Sequence, residues 1–160
     1  MAVHKLSFND TEDLEYQIVA LHTTLVSYRL AFFLNRRLKI LLEKVKPNRK
    51  ILENTYVNLF SRFSFCDEKN DVFWILIENK HNEESVNFDD SLFSKNNTIT
   101  TTNYLLPEFK TVDYLLKIEA EENQIDPDQI CKFISEIEGV TTAYSIEHSK
   151  IKSKNNLIFY

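Results

Sequence analysis

A strand, a helix and a second strand are encoded in residues 112–147, VDYLLKIEAEENQIDPDQICKFISEIEGVTTAYSIE. Apolar residues at every second position from 112 to 118 alternate with polar ones at 113, 117 and 119, which is typical of a strand with one solvated face. Asp126 offers a side-chain cap, Pro127 suits the first helical position and Gln129 completes a capping box, so a helix is predicted to begin there. Gly139 stands where a left-handed C-terminal cap is wanted, and a strand is predicted to follow at 140–147.

Further elements are predicted on the N-terminal side of this unit. Residues 16–23 contain a short continuous apolar run, which indicates a strand buried on both faces. Apolar residues at helical spacing over 26–39 predict an amphipathic helix, with basic side chains on another face. Residues 56–65 and 72–79 are rich in aromatic and β-branched residues and flank a polar turn, so they predict a hairpin whose second strand is central.

Other stretches give weaker signals. Short strands are predicted at residues 3–8, 41–46 and 157–160, and a turn at Pro47 and Asn48. Residues 81–103 are polar and predict a long mobile loop with a few apolar positions that dock onto the body.

These elements together predict an α+β fold in a single globular domain of residues 1–160. The short connection between the strands at 112–119 and 140–147 favours an open, mostly antiparallel sheet with two main helices on one side. A second strand–helix unit at 16–46 suggests a ferredoxin-like arrangement elaborated by the central hairpin.

A compact motif precedes and enters the strand of residues 112–119. It consists of Leu106, Pro107, Glu108, Val112, Asp113 and Tyr114. The motif resembles that of the IPExxxVDY family, in which an isoleucine stands where this chain has Leu106. The similarity continues in SYRLAFFLN at 27–35 and KSKNNLIF at 152–159. The resemblance implies a lineage in Bacteroidota, but it brings no activity, ligand or catalytic residue with it.

The motif residues themselves allow two interpretations. In the structural one, Pro107 sets the entry to the strand, Val112 and Tyr114 pack in the core, and the acids satisfy loop amides or pair with Lys110. In the catalytic one, Glu108 and Asp113 perform acid–base chemistry near the phenol of Tyr114, with His22 or His148 as a further group.

Composition excludes several classes of enzyme and predicts the compartment. Gly139 is the only glycine, so the chain has no Walker A loop, no dinucleotide-binding fingerprint and no nucleophile elbow. Cys66 and Cys131 are read as reduced thiols of an intracellular protein. The acidic N-terminal residues lack an apolar run, and polar side chains interrupt the most hydrophobic window at 16–34. We therefore expect a cytoplasmic protein with neither signal peptide nor membrane span.

Charge is distributed unevenly along the chain. Residues 29–50 contain a single acid, Glu43, and eight basic residues: Arg29, Arg36, Arg37, Lys39, Lys44, Lys46, Arg49 and Lys50. The whole chain has a net charge of −5, so the remainder is strongly acidic. Such asymmetry predicts a positive surface for an acidic partner, either a protein or RNA. The alternative is that these cations pair with carboxylates of the same chain.

Metal and cofactor sites are not indicated. None of His4, His22, His81 and His148 has a second ligand at the spacing of a zinc knuckle or an H-E-x-x-H helix. Cys131 is predicted to pack in the core, and Cys66 to be exposed at a hairpin turn.

Three functions therefore remain open. The first is a non-catalytic interaction or regulatory module, with Arg29, Arg36, Arg37 and Lys39 contacting an acidic partner. The second is a small-ligand sensor, by loose analogy with ACT-type regulatory domains. The third is an enzyme that uses Glu108 and Asp113.

Overall fold

The computed structural model of the chain describes residues 16–46, 56–87, 97–121 and 124–159. Outside this part lie His4, the predicted strand at 3–8, the turn at 47–48 and the basic residues Arg49 and Lys50.

Eight strands and two α-helices occur in the described residues. The strands are β1 (Tyr16–Thr23), β2 (Glu43–Lys44), β3 (Arg62–Asp67), β4 (Val72–Glu78), β5 (Lys80–Asn87), β6 (Asn97–Tyr104), β7 (Tyr114–Glu119) and β8 (Val140–Ile146). The helices are α1 (Ser27–Leu38) and α2 (Pro127–Ser135). Short 3-10 helices occupy Val57–Leu59, Pro107–Phe109, His148–Lys150 and Lys154–Leu157.

Six of these strands form one sheet in the order β2-β3-β4-β7-β1-β8, and every neighbouring pair is antiparallel. Within it, the path β1-α1-β4-β7-α2-β8 with the spatial order β8-β1-β7-β4 is the βαββαβ arrangement of a ferredoxin-like fold. The α+β prediction is therefore confirmed. Two insertions elaborate it: β2 and β3 extend the sheet beyond β4, and the separate β5–β6 hairpin lies between β4 and β7 in the chain.

Both helices pack on the same face of the sheet. Leu30, Ala31 and Leu34 of α1 and Ile134 of α2 are buried against β-strand side chains such as Leu116. Their spacing of three or four residues places them on one side of each helix, and this burial is the main source of helix stability. The prediction of two helices on one side is confirmed.

The opposite face is covered by irregular segments rather than by helices. Leu115 and Ile77 of the sheet are fully buried there, beneath Leu106 and two residues near the C-terminus, Ile151 and Leu157. The sheet is therefore the middle of three layers.

The prediction that β7 has one wet face is wrong. Lys117 is only 4% exposed, and its ammonium bonds Glu119 and the carbonyl of Leu157, 3.0 Å away. The rings of Tyr16 and Phe159 also lie within 4.7 and 5.4 Å of Lys117 Nζ. A buried ammonium is tolerated because a carboxylate, a carbonyl and aromatic faces replace water. The sequence pattern could not show this, because Tyr16, Leu157 and Phe159 are distant from Lys117 along the chain.

The predicted loop at 81–103 is also wrong where the structure describes it. Residues 80–87 and 97–104 form the β5–β6 hairpin, paired from Lys80↔Tyr104 to Asn87↔Asn97. The run TITTT at 98–102 consists of β-branched residues, which favour strands even when most side chains are polar. Both strands are mostly polar, so they show no alternation of apolar and polar residues from which strands are predicted.

Of three smaller predictions, two change in extent and one is wrong. The strand predicted at 41–46 contains only Glu43–Lys44, and the first part of the segment at 56–65 is the 3-10 helix Val57–Leu59. The predicted closing strand is wrong over its described residues, because 154–157 form a 3-10 helix and no strand follows through residue 159.

The N-terminal end of α2 follows the sequence signal, but the predicted C-terminal cap is wrong. The helix ends at Ser135 with Glu136 as its C-cap, and Gly139 lies further on, in the turn that leads into β8. The Asp126 side chain accepts a hydrogen bond from the Asp128 amide at 3.0 Å, and Pro127 is the first helical residue. Gly139 has φ +96°, and a Cβ atom there would lie 2.9 Å from two carbon atoms of Leu25. Its carbonyl accepts a bond of 2.6 Å from the Thr23 hydroxyl, which ties this turn to the end of β1.

The sole glycine gives a first prediction. Gly139→Ala should lower the free energy of unfolding by about 2–3 kcal/mol, because alanine disfavours this φ and its methyl group meets Leu25. Urea unfolding would measure it, with Thr141→Ala as an exposed control that changes stability by less than about 1 kcal/mol. An equally small effect at both positions would contradict the assignment.

Candidate docking surface

One side of α1 faces solvent and combines aromatic with basic side chains. Tyr28 and Phe32 are 68% and 55% exposed, and Arg36 follows at the same four-residue spacing. Residues four apart share a side of a helix, so these three form a strip, with Arg29 and Lys39 beside it. We call these five residues the α1 outer face.

The α1 outer face carries three positive charges. The Arg36 guanidinium lies 5.7 Å from the centroid of the Phe32 ring, within cation–π range. Among the residues that the structure describes, Arg29, Arg36 and Lys39 form no salt bridge, and α1 contains no acidic residue. The internal pairing considered from the sequence is therefore not seen for these three cations.

Arg37 belongs to a different environment. Its guanidinium pairs with Glu136, donates to the Phe133 carbonyl at 3.3 Å and lies 5.6 Å from the Phe133 ring centroid. It therefore links α1 to α2, and its charge is offset within the chain. Of the four basic residues predicted to contact a partner, three share the outer face and Arg37 turns away from it.

A cleft of about 440 Å³ opens between the C-terminal end of α1 and the N-terminal end of α2. Leu38, Ile130 and Trp74 supply apolar wall, and Lys39 belongs both to the cleft and to the α1 outer face. Trp74 is the only tryptophan of the chain. The positive strip thus continues into an opening large enough for an apolar side chain.

The motif at 106–114 is organised by a residue that lies outside it. Asn79 is fully buried at the end of β4, and its side-chain amide donates to the carbonyls of Phe109 (2.8 Å) and Val112 (3.0 Å). Its side-chain oxygen accepts from the Leu106 amide at 2.8 Å. Its backbone also bonds Asp113 and Leu105. Five hydrogen bonds therefore fix the path of the motif.

Asp113 and Tyr114 join the motif to the loop that leads into α1. One oxygen of Asp113 accepts from the Thr23 amide at 3.0 Å, and the other pairs with Lys80 at 2.8 Å. The Tyr114 hydroxyl donates to the Leu25 carbonyl at 3.0 Å. Burial, followed by the charges of Glu78 and Asp113, raises the pKa of Tyr114 to about 12. The phenol therefore stays protonated at neutral pH.

Glu108 holds the segment near the C-terminus. Its carboxylate accepts from the amides of Lys152 (2.7 Å) and Ser153 (2.8 Å) and from the Ser153 hydroxyl (3.0 Å). Burial opposes ionisation, but these hydrogen bonds outweigh it and lower the pKa of Glu108 below its ordinary value. Both acids of the motif thus bind backbone amides, as the structural interpretation expected. The lysine that pairs with Asp113 is Lys80, however, and not Lys110 as that interpretation proposed.

The catalytic interpretation needs the motif acids to meet a histidine or another reactive group. No hydrogen bond or ion pair joins Glu108 or Asp113 to His22 or His148; His148 instead stacks on Tyr16, at 4.4 Å between ring centroids. Burial raises the pKa of the Cys131 thiol to about 11, so it is not a ready nucleophile. The described residues contain no group of three or more His, Cys, Asp or Glu that could hold a metal ion.

No helix among the described residues is long and apolar enough to cross a membrane. The chain matched no protein-family model, no curated protein and no solved structure. The likeness to the IPExxxVDY family accordingly stays a prediction from the motif.

The first prediction from the motif concerns Asn79. Asn79→Ala should lower the free energy of unfolding by about 3–5 kcal/mol, because it leaves one amide and two carbonyls buried without partners. Asn79→Asp should destabilise as well, since aspartate cannot donate to both carbonyls. Asn155→Ala, an exposed control, should change little in the same urea titration. Tolerance of both Asn79 variants would show that water replaces the amide.

The second concerns pH. Because the folded pKa of Glu108 is lowered, its stabilisation is fully present above pH about 4.5 and is lost as pH falls through the folded pKa. Glu108→Gln should cost about 1–2 kcal/mol at pH 7, and the gap to wild type should narrow on acidification. Thermal unfolding between pH 3 and 7 measures this, with Glu138→Gln as an exposed control. A gap that is constant with pH would contradict the role of the carboxylate.

Proposed function

We propose that this protein is a non-catalytic docking module of the cytoplasm whose α1 outer face binds an acidic segment of a partner protein. The observation that carries the proposal is the strip of Tyr28, Phe32 and Arg36, flanked by two further cations. Two large rings with most of their area in water are costly for an isolated monomer, and aromatic and arginine side chains are enriched at interfaces.

The sign of the charge selects the partner. Arg29, Arg36 and Lys39 lack carboxylate partners among the described residues, while the whole chain carries −5. A local positive strip on a negative molecule attracts a compact acidic segment and repels more extended polyanions. A partner carboxylate can form bidentate hydrogen bonds with each arginine.

A protein fits these features better than RNA. Nucleic-acid affinity rises with the number of phosphates neutralised, and three cations on an acidic protein neutralise few. The cleft beside Lys39 also offers an apolar wall, including Trp74, that suits a leucine or phenylalanine side chain of a peptide. The partner segment is therefore expected to be acidic with an apolar anchor.

A direct titration tests the proposal. An acidic peptide that contains leucine should bind the wild type and change the fluorescence of Trp74, whereas polyglutamate should bind more weakly and single-stranded RNA should not compete. Arg36→Glu and Phe32→Ala should each weaken binding about tenfold, because arginine and aromatic anchors dominate such interfaces. Binding should also weaken with salt for wild type.

The control is Lys69→Glu, which reverses an exposed charge in the β3–β4 turn. It makes the same change in net charge as Arg36→Glu but leaves the α1 outer face intact. Peptide binding should therefore stay near the wild-type level. Equal losses in Arg36→Glu and Lys69→Glu would mean that only net charge matters. Equal losses, or preferential binding of RNA, would refute the proposal.

A further inference from the structure

A second cleft, of about 370 Å³, lies at the end of the sheet where β2 and β4 end and β3 begins. We call it the β3 cleft. Its apolar lining includes Val57 and Phe60, both buried. Its polar lining includes three basic side chains, Lys44, Arg62 and His81, and one acid, Glu78. These residues come from separate segments, so no local sequence pattern indicated the site.

Arg62 is the central observation. Arg62 is the first residue of β3, and its half-buried side chain lines the cleft. Among the described residues Arg62 forms no salt bridge; its guanidinium lies 5.3 Å from the centroid of the Phe159 ring. Removal from water lowers its pKa. A half-buried guanidinium that stacks on an aromatic ring and has no carboxylate among the described residues keeps donors that suit a bound anion.

Ser61 gives an independent observation. Its hydroxyl oxygen is buried and has no hydrogen-bond partner, although Ser61 also lines the cleft. Buried hydroxyls are nearly always paired, so an unpaired one in the lining of the cleft that holds Arg62 is a second unmet polar group.

We propose that the β3 cleft binds a small organic carboxylate with an apolar body. The planar guanidinium of Arg62 matches a carboxylate in bidentate geometry, and Lys44 adds positive charge at the mouth. The wall formed by Val57 and Phe60 receives the apolar body, and His81, whose ring lies 6.3 Å edge-on from Phe60, closes that side. One acid in the lining and the net charge of −5 favour a single negative charge over a phosphate dianion.

This site is separate from the α1 outer face, since the two share no residue. A ligand of this class would make the protein a metabolite-binding module as well as a docking one. The inference does not rest on the proposed docking function, and either is testable without the other.

Binding is tested with three probes on the full chain: phenylacetate, its neutral analogue phenylacetamide, and inorganic phosphate. Amide resonances of residues 57–62 and of His81 should shift with phenylacetate at millimolar concentration, and much less with the amide or with phosphate. Arg62→Gln should weaken phenylacetate binding at least about tenfold, because it removes a charge-assisted pair. Lys44→Gln should weaken it by a smaller factor.

Two further variants keep the result interpretable. Ser61→Ala should leave the ligand-free protein as stable as wild type or more so, because the hydroxyl has no partner to lose, while phenylacetate binding weakens several-fold. Arg29→Gln, on the α1 outer face, should leave phenylacetate binding unchanged. The proposal fails if phenylacetamide shifts the same resonances equally, if phosphate binds more tightly, or if Arg62→Gln, folded by its spectrum, binds phenylacetate like wild type.

Discussion

The side-chain amide of Asn79 is the constraint on which the central part of the molecule depends. After β4 the chain leaves the sheet for the β5–β6 hairpin and must return at β7, next to the strand it left. Asn79 fixes both ends of that excursion, because its backbone and side chain bond residues 105, 106, 109, 112 and 113. Both amide hydrogens and the oxygen are used. An apolar residue would leave those backbone groups unpaired, and a carboxylate would repel the two carbonyls.

Residues of the motif in turn bond segments that lie on both faces of the sheet. Asp113 and Tyr114 bond the loop between β1 and α1, and these bonds fix the start of α1 relative to the central strand β7. Glu108 holds residues 152 and 153 and so places the covering segment over the second face. Lys117 bonds the same segment further along, at the Leu157 carbonyl. Helix and cover are thus positioned from one central strand and its entry loop.

Local signals in the sequence predicted much of this fold, and non-local contacts account for the rest. The bounds of β1 and the Asp126 cap depend on a few neighbouring residues, and both were predictable. The positive φ of Gly139 was predictable too, but its place in a turn beyond the end of α2 was not. The burial of Lys117 and the role of Asn79 depend on residues that follow tens of positions later. An asparagine directly after the apolar run of β4 was the available signal, but it reads as an ordinary strand end. For the candidate surface, the sequence predicted a basic face on α1, while the packing against α2 shows that Arg37 is engaged within the chain.

The charged side chains divide into those that bond another part of the chain and those that have no carboxylate partner among the described residues. Glu108, Asp113 and Arg37 each hold another part of the chain, and a group engaged in that way is poorly placed to transfer protons or to receive a partner. Arg29, Arg36 and Lys39 on one surface, and Arg62 in a cleft, lack a carboxylate among the described residues. The chain has more acidic than basic residues, so its composition supplies enough carboxylates to pair with all of these cations. Positive groups without a carboxylate partner among the described residues of an acidic protein are therefore the features that the described packing explains least, and they are the observations on which both proposals rest.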